Sequence, residues 1–194
     1  MSQNKVEFGL EQVHVAFIDE ETSAEGSPAW VAPQAIPGAV SLTASPEGDT
    51  NDFYADNTKY YTSTTNNGYT GSVEFANIPD DVLAEMLGMT VDDNGMLVES
   101  TEDKQKEFAL MGEVKGDTKN RRFLYYRCKA ARPSQDSATS DTGETPDTDN
   151  LDITILPMKN GENMLVKAVL ELSETNATAF DAFFDDVTLP TVTP

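Results

Sequence analysis

Residues able to do chemistry are scarce in this chain. His14 is the only histidine and Cys128 the only cysteine among 194 residues. A Ser-His-Asp triad would have to use His14, and no serine stands in a nucleophile-elbow context. Cys128 has no activating partner other than that same histidine, and its simplest reading is a small residue packed in a strand. No glycine-rich loop leads from a strand into a helix, so no phosphate cradle is present. The chain carries 34 acidic residues, which makes chance carboxylate pairs certain and an acid–base pair uninformative. Asp93-Asn94-Gly95 is not a calcium loop. Aligning Gly95 as the loop glycine puts Thr90 at the first ligand position and Thr101 where a bidentate glutamate belongs. Asp147, Asp149 and Asp152 are close in sequence, but no loop glycine follows at the required place. The residues therefore predict no catalytic kit, no metal and no cofactor: a binding or structural protein rather than an enzyme.

Charge narrows the class further. Formal net charge is −21 and the sequence pI about 4.1. Binding nucleic acid by neutralising phosphates needs a basic footprint, so direct DNA binding is not expected. Nine of the thirteen basic residues lie between Lys104 and Arg132. Lys115, Lys119, Arg121, Arg122, Arg127 and Lys129 are candidates for a basic face meeting a neighbour's acidic one, or for a solvated hairpin. Mean hydropathy is −0.44 with 38% hydrophobic residues, which reads as a soluble globular chain. No apolar run reaches the roughly 18 residues of a membrane span, and Met1 to Phe8 does not read as a secretory signal.

The elements that would position these residues are mostly strands. Val6, Phe8 and Leu10 alternate with polar residues, and Val13, Val15 and Phe17 alternate with the opposite parity. The slip implies a β-bulge near Glu11-Gln12, and it puts His14 on the polar parity. Asp19 to Pro37 is a connector containing Trp30, which either pins it to its own domain, the favoured reading, or docks on a partner. Ala39 to Ala44 is a strand. Ser45 to Asn66 is a long polar inter-strand loop, with Tyr60 to Thr65 a possible strand that would make it an extended hairpin. Asn67-Gly68 turns into a strand from Tyr69 to Phe75.

Pro79, Asp80 and Asp81 open a short helix that Gly88 stops. Asp93-Asn94-Gly95 joins a hairpin. Phe108 to Val114 and Phe123 to Ala130 are strands. Residues 133–150 form an acidic loop, read as flexible. Leu151 to Leu156 and Met164 to Leu172 are strands, with a turn at Asn160-Gly161 between them. Ser173 to Val187 reads as a helix, regular over about 174–187. Phe180, Phe183, Phe184 and Val187 give its spacing, and Ser173, Thr175 or Asn176 can cap it. The sum is a mainly β single domain over 1–194: a β-sandwich or half-barrel with one or two flanking α-helices and a long inter-strand loop.

Several separated stretches carry a resemblance. E-G-D-T-N-D-F-Y-A-D-N, then G-Y-T-G-S-V-E, I-P-D-D-V-L-A-E-M-L-G and V-D-D-N-G-M-L-V-E occur in that order. With V-E-F-G-L-E-Q-V-H-V-A near the start and A-F-D-A-F-F-D-D-V near the end, the chain resembles the major tail (tail tube) proteins of long-tailed bacteriophages, of the phi13 type. The resemblance implies a virion protein whose copies form hexameric rings. Those rings stack into a tube around a tape-measure protein, with distal tail and tail terminator proteins as further partners. DNA would pass through the lumen without specific binding. It also implies that the long loop contacts the next ring. Phe53, Tyr54 and Asp56 are the expected anchors, with Tyr60 and Tyr61 beside them. A carbohydrate-binding or adhesion module, using the same tyrosines as a platform, and a single-ring tail terminator are the alternatives.

Overall fold

The computed structural model describes residues 4–134 and 147–190. The strands are β1 (Glu7–Phe17), β2 (Gln34–Ala35), β3 (Ala39–Glu47), β4 (Thr50–Ala55), β5 (Thr58–Thr64) and β6 (Gly68–Phe75). After helix α1 (Asp80–Leu87) come β7 (Thr90–Val91), β8 (Leu97–Val98), β9 (Phe108–Gly116), β10 (Arg121–Ala130) and β11 (Asp149–Ile155). The chain then forms β12 (Met158–Asn160), β13 (Asn163–Leu165), β14 (Lys167–Glu171), helix α2 (Ala177–Asp181) and a 3₁₀ turn, Ala182–Phe184.

One eight-stranded antiparallel sheet organises the molecule, in the order β2-β1-β9-β10-β11-β6-β3. It forks at β10. The first half of β10 pairs with β14, Arg121 opposite Glu171 through Tyr125 opposite Lys167. The second half pairs with β11, Cys128 opposite Ile155 through Ala130 opposite Ile153. The register against β9 shifts between Tyr125 and Cys128, where the change of partner takes place. A bulge there bends the strand, which suits a fork. The expected slip in β1 is also present: its register shifts between Glu11 and His14, and Gln12 has φ 50.

β9 and β10 are apolar on both parities because both faces of the sheet are covered. On one face, Phe108, Leu110, Phe123, Tyr125 and Cys128 join Val13, Val15, Val73 and Ile153 in the larger core. Helix α1 closes this face with Val82, Met86 and Leu87. Gly88 ends α1 in the left-handed region at φ 73, and a Cβ there would strike the Lys104 carbonyl. On the other face, Ala109, Met111, Leu124 and Tyr126 pack under Phe183 and Val187. Trp30 joins this second core, its ring 6.3 Å from that of Tyr126, so it packs on its own chain.

The structure corrects several expectations. Fourteen strands lie among the described residues, five of them only two or three residues long. The strand read over Met164 to Leu172 is interrupted at Val166, between β13 and β14. The C-terminal helix over about 174–187 is only the five residues of α2 plus the 3₁₀ turn. Its spacing is met because Phe180, Phe183 and Val187 still reach the sheet. Asn176 stands at the N-cap of α2, but its side chain makes no capping bond. Its side chain accepts from the Ser173 N–H at 2.7 Å and donates to the Glu171 carbonyl at 2.9 Å, binding the segment back to β14. Of the acidic loop over 133–150, residues 135–146 lie outside the described residues, and Asp149 already belongs to β11.

Candidate assembly surface

Residues 45–66, expected as a long loop or, with a strand at Tyr60 to Thr65, an extended hairpin, are mostly strand. The β3–β6 ladder runs from Ala39 opposite Phe75 to Glu47 opposite Gly68. Backbone bonds carry it on, from Asn67 N–H to the Glu47 carbonyl and from Thr65 N–H to the Asp49 carbonyl, both 2.9 Å. Gly48 is needed at the crossing, since a Cβ there would strike the Thr65 carbonyl. β4 and β5 then pair from Thr50 opposite Thr64 to Ala55 opposite Thr58. The result is one long hairpin whose outer half pairs only with itself.

Local chemistry explains the tip. Asp56 and Asn57 have φ 51 and 65, the two left-handed positions of a two-residue hairpin turn, and both residue types tolerate that region. Asp56, expected to anchor a contact beside the aromatics, is thus first of all a turn former. Lys59 pairs with Asp52 across the strands at 2.5 Å, and Thr62 donates to Asp52 at 2.9 Å. Phe53 lies opposite Tyr61, Tyr54 opposite Lys59, and Tyr60 is the extra residue of the bulge between them. All four aromatics are open to solvent: Phe53 61%, Tyr54 63%, Tyr60 75% and Tyr61 62% exposed. A two-stranded ribbon with neither face covered is marginal in water by itself, and four exposed rings on one short hairpin are an unusual amount of apolar surface.

The basic residues are not one free face. Lys115 pairs with Glu11 at 2.6 Å, Lys119 with Glu171 at 3.3 Å and Arg121 with Glu7 at 2.5 Å, all near the β9–β10 turn. Arg127 and Lys129, beyond the fork, share Glu107 at 2.6 and 3.1 Å. Burial pushes the Glu107 carboxyl up, but hydrogen bonds from Arg127 and Lys129 outweigh it and hold the group below its usual value.

Arg122 is buried. Its Nε donates to Glu113 at 2.6 Å, and Asn120 donates to the other Glu113 oxygen at 2.7 Å. Its Nη1 donates to the Phe180 carbonyl, and its guanidinium lies 4.0 Å from the Phe180 ring centre and 4.5 Å from that of Phe184. Glu113 was not singled out from the sequence, and Phe180 was singled out only for its helical spacing. The signal was there: Glu113 shares its parity with Ala109 and Met111 in a strand apolar on both sides, and a carboxylate so placed needs a cation.

The remaining chemical candidates are accounted for by packing. His14 stacks on Phe184 with ring centres 4.4 Å apart, and its Nδ1 lies 2.8 Å from the Gln12 carbonyl oxygen. Cys128 belongs to the opposite core, where burial pushes its thiol pKa up, away from thiolate chemistry. Asp149 accepts the Ile78 N–H at 2.8 Å. No group of three or more metal-ligating side chains occurs among the described residues. Among the described residues no helix is long and apolar enough to cross a membrane.

Comparison with known proteins agrees with the motif order. A family model described as phage tail tube protein matches residues 2–193. No curated protein matches the chain. A match over nearly the whole length, on a mainly β fold with antiparallel sheets and two short helices, is decisive: the chain belongs to the phage tail tube protein family and is a structural component of a phage tail.

Proposed function

We propose that this protein is the repeating subunit of the tail tube, forming hexameric rings that stack into a hollow cylinder around the tape-measure protein. Distal tail and tail terminator proteins bound the cylinder, and DNA passes through it without specific binding. The observation that carries this reading is the outer hairpin, β4–β5, with Phe53, Tyr54, Tyr60 and Tyr61 uncovered within the subunit. Buried against the next ring, these rings would supply the apolar contact that the isolated ribbon lacks.

Lateral closure has support of its own. β3 and the short β2 end the sheet, so both edges offer unpaired backbone groups to a neighbour. A ring joins two different faces of each subunit, so charge can be complementary across it. The pairs made by Lys115, Lys119 and Arg121 are exposed, hence weak and able to exchange a carboxylate of their own chain for a neighbour's. An excess of carboxylates facing the lumen would keep DNA from sticking.

The test is the Phe53→Ala, Tyr54→Ala double variant. It should give a folded protein, by circular dichroism and a cooperative melt, that forms no tubes in negative-stain micrographs. Tubes of normal length from the double variant would refute the ring-stacking role of the hairpin. Particles that stop at one ring in the unmodified protein would favour a terminator.

A further inference from the structure

The larger core is open at one end. Where β14 leaves β11 at the fork, a groove of about 330 Å³ is walled by Phe8, Leu10, Leu42, Val114, Tyr125 and Val169. Two of these are unusual surface residues: Phe8 is 57% and Val169 45% exposed. The groove also carries positive charge. Lys167 sits over the rings of Tyr125 and Tyr69, 5.2 and 5.9 Å from their centres, and Arg121 lines the wall beside its partner Glu7. A small apolar slot with an ammonium on its tyrosine floor fits an aromatic side chain accompanied by a carboxylate.

The chain presents that combination elsewhere. The outer hairpin carries Phe53, Tyr54, Tyr60 and Tyr61 together with three aspartates, Asp49, Asp52 and Asp56, against one lysine, Lys59. It cannot serve its own groove. Leu42 is part of the groove wall, and Phe53 lies eleven residues further along nearly continuous strand, roughly 36 Å at ~3.3 Å per residue. In the subunit the four rings face solvent.

We infer that the groove is the receptor for the hairpin tip of another copy of this chain, with Phe53 entering the slot and Asp56 facing Lys167 and Arg121. This rests on the tube reading and adds to it the surface on which the hairpin lands. Tip and groove are different surfaces far apart on the subunit. The contact is therefore heterologous and repeats from copy to copy rather than ending in a closed pair.

Two variants that each add one cysteine test it: Thr58→Cys beside the tip and Val169→Cys in the groove, with the native Cys128 buried and inert to the reagent. The two proteins are mixed, allowed to assemble and treated with a short bismaleimide. The cross-linked heterodimer should dominate in the mixture, while each variant alone should give little dimer. Lys167→Glu should raise the protein concentration needed for assembly at least tenfold. Tubes that form without the Thr58–Val169 cross-link overturn the groove assignment and leave the tube reading intact. A protein monomeric at every concentration, with no cross-link, overturns both. Unchanged assembly of Lys167→Glu overturns the charge pairing of tip and groove.

Discussion

The middle of the sheet and the end of the outer hairpin use the same kinds of residue to opposite ends. In β10, Phe123, Tyr125 and Tyr126 are buried to within a few per cent of complete exclusion. In β4 and β5, Phe53, Tyr54, Tyr60 and Tyr61 are more than half exposed. Both regions are antiparallel strands with a bulge, so backbone pairing does not separate them. What separates them is cover: two cores sandwich β10, and nothing in the subunit covers β4 and β5. The centre can therefore be stable in the free subunit. The hairpin keeps an apolar surface that nothing in the subunit buries.

Substitutions should break this contrast unequally. The largest loss of stability is expected from Arg122→Ala, which strands the Glu113 carboxylate against the second core. It should cost about 3–5 kcal/mol in denaturant unfolding. Replacing both members of the pair by methionine should recover most of that loss, because the unpaired buried charge is gone. Phe180→Ala comes next, at about 3 kcal/mol, since it removes a buried ring and the face on which Arg122 lies.

Glu107→Gln should cost about 1–3 kcal/mol at pH 7, where Glu107 accepts from both Arg127 and Lys129. Its carboxyl is held below its ordinary value in the fold. That contribution is thus complete above the unfolded value, about 4.3, and is lost as pH falls through the lower folded value. Unfolding of wild type and Glu107→Gln across pH should show the gap closing in acid. The smallest effect is expected in the hairpin: Phe53→Ala with Tyr54→Ala should change subunit stability by less than about 0.5 kcal/mol while abolishing assembly. A large destabilisation there would mean that the rings pack within the subunit after all.

The same contrast explains what the sequence discloses. Elements with one or two covered faces were legible: the parity slip in β1, helix α1 between Pro79 and Gly88, and the apolar runs of β9 and β10. The hairpin was legible in composition and as a strand over Tyr60 to Thr65, but not in register. With no buried face, Thr50 to Thr64 shows no apolar alternation, and its register is set by the Asp56-Asn57 turn and the Asp52–Lys59 pair instead. The C-terminal segment failed for a different reason. Four apolar residues at helical spacing require only that their side chains face one way, which a single turn followed by a 3₁₀ turn also achieves. Arg122 read as a surface cation because its partner Glu113 is nine residues away in sequence, across the β9–β10 turn.

The most direct measurement is amide hydrogen exchange on the free subunit and on assembled particles, compared peptide by peptide. The account predicts slow exchange in β9 and β10 in both states, and fast exchange over residues 49–64 in the subunit that becomes strongly protected on assembly. Residues 49–64 exchanging equally fast in tubes and in subunits would contradict the claim that the hairpin is the surface from which the tube is built.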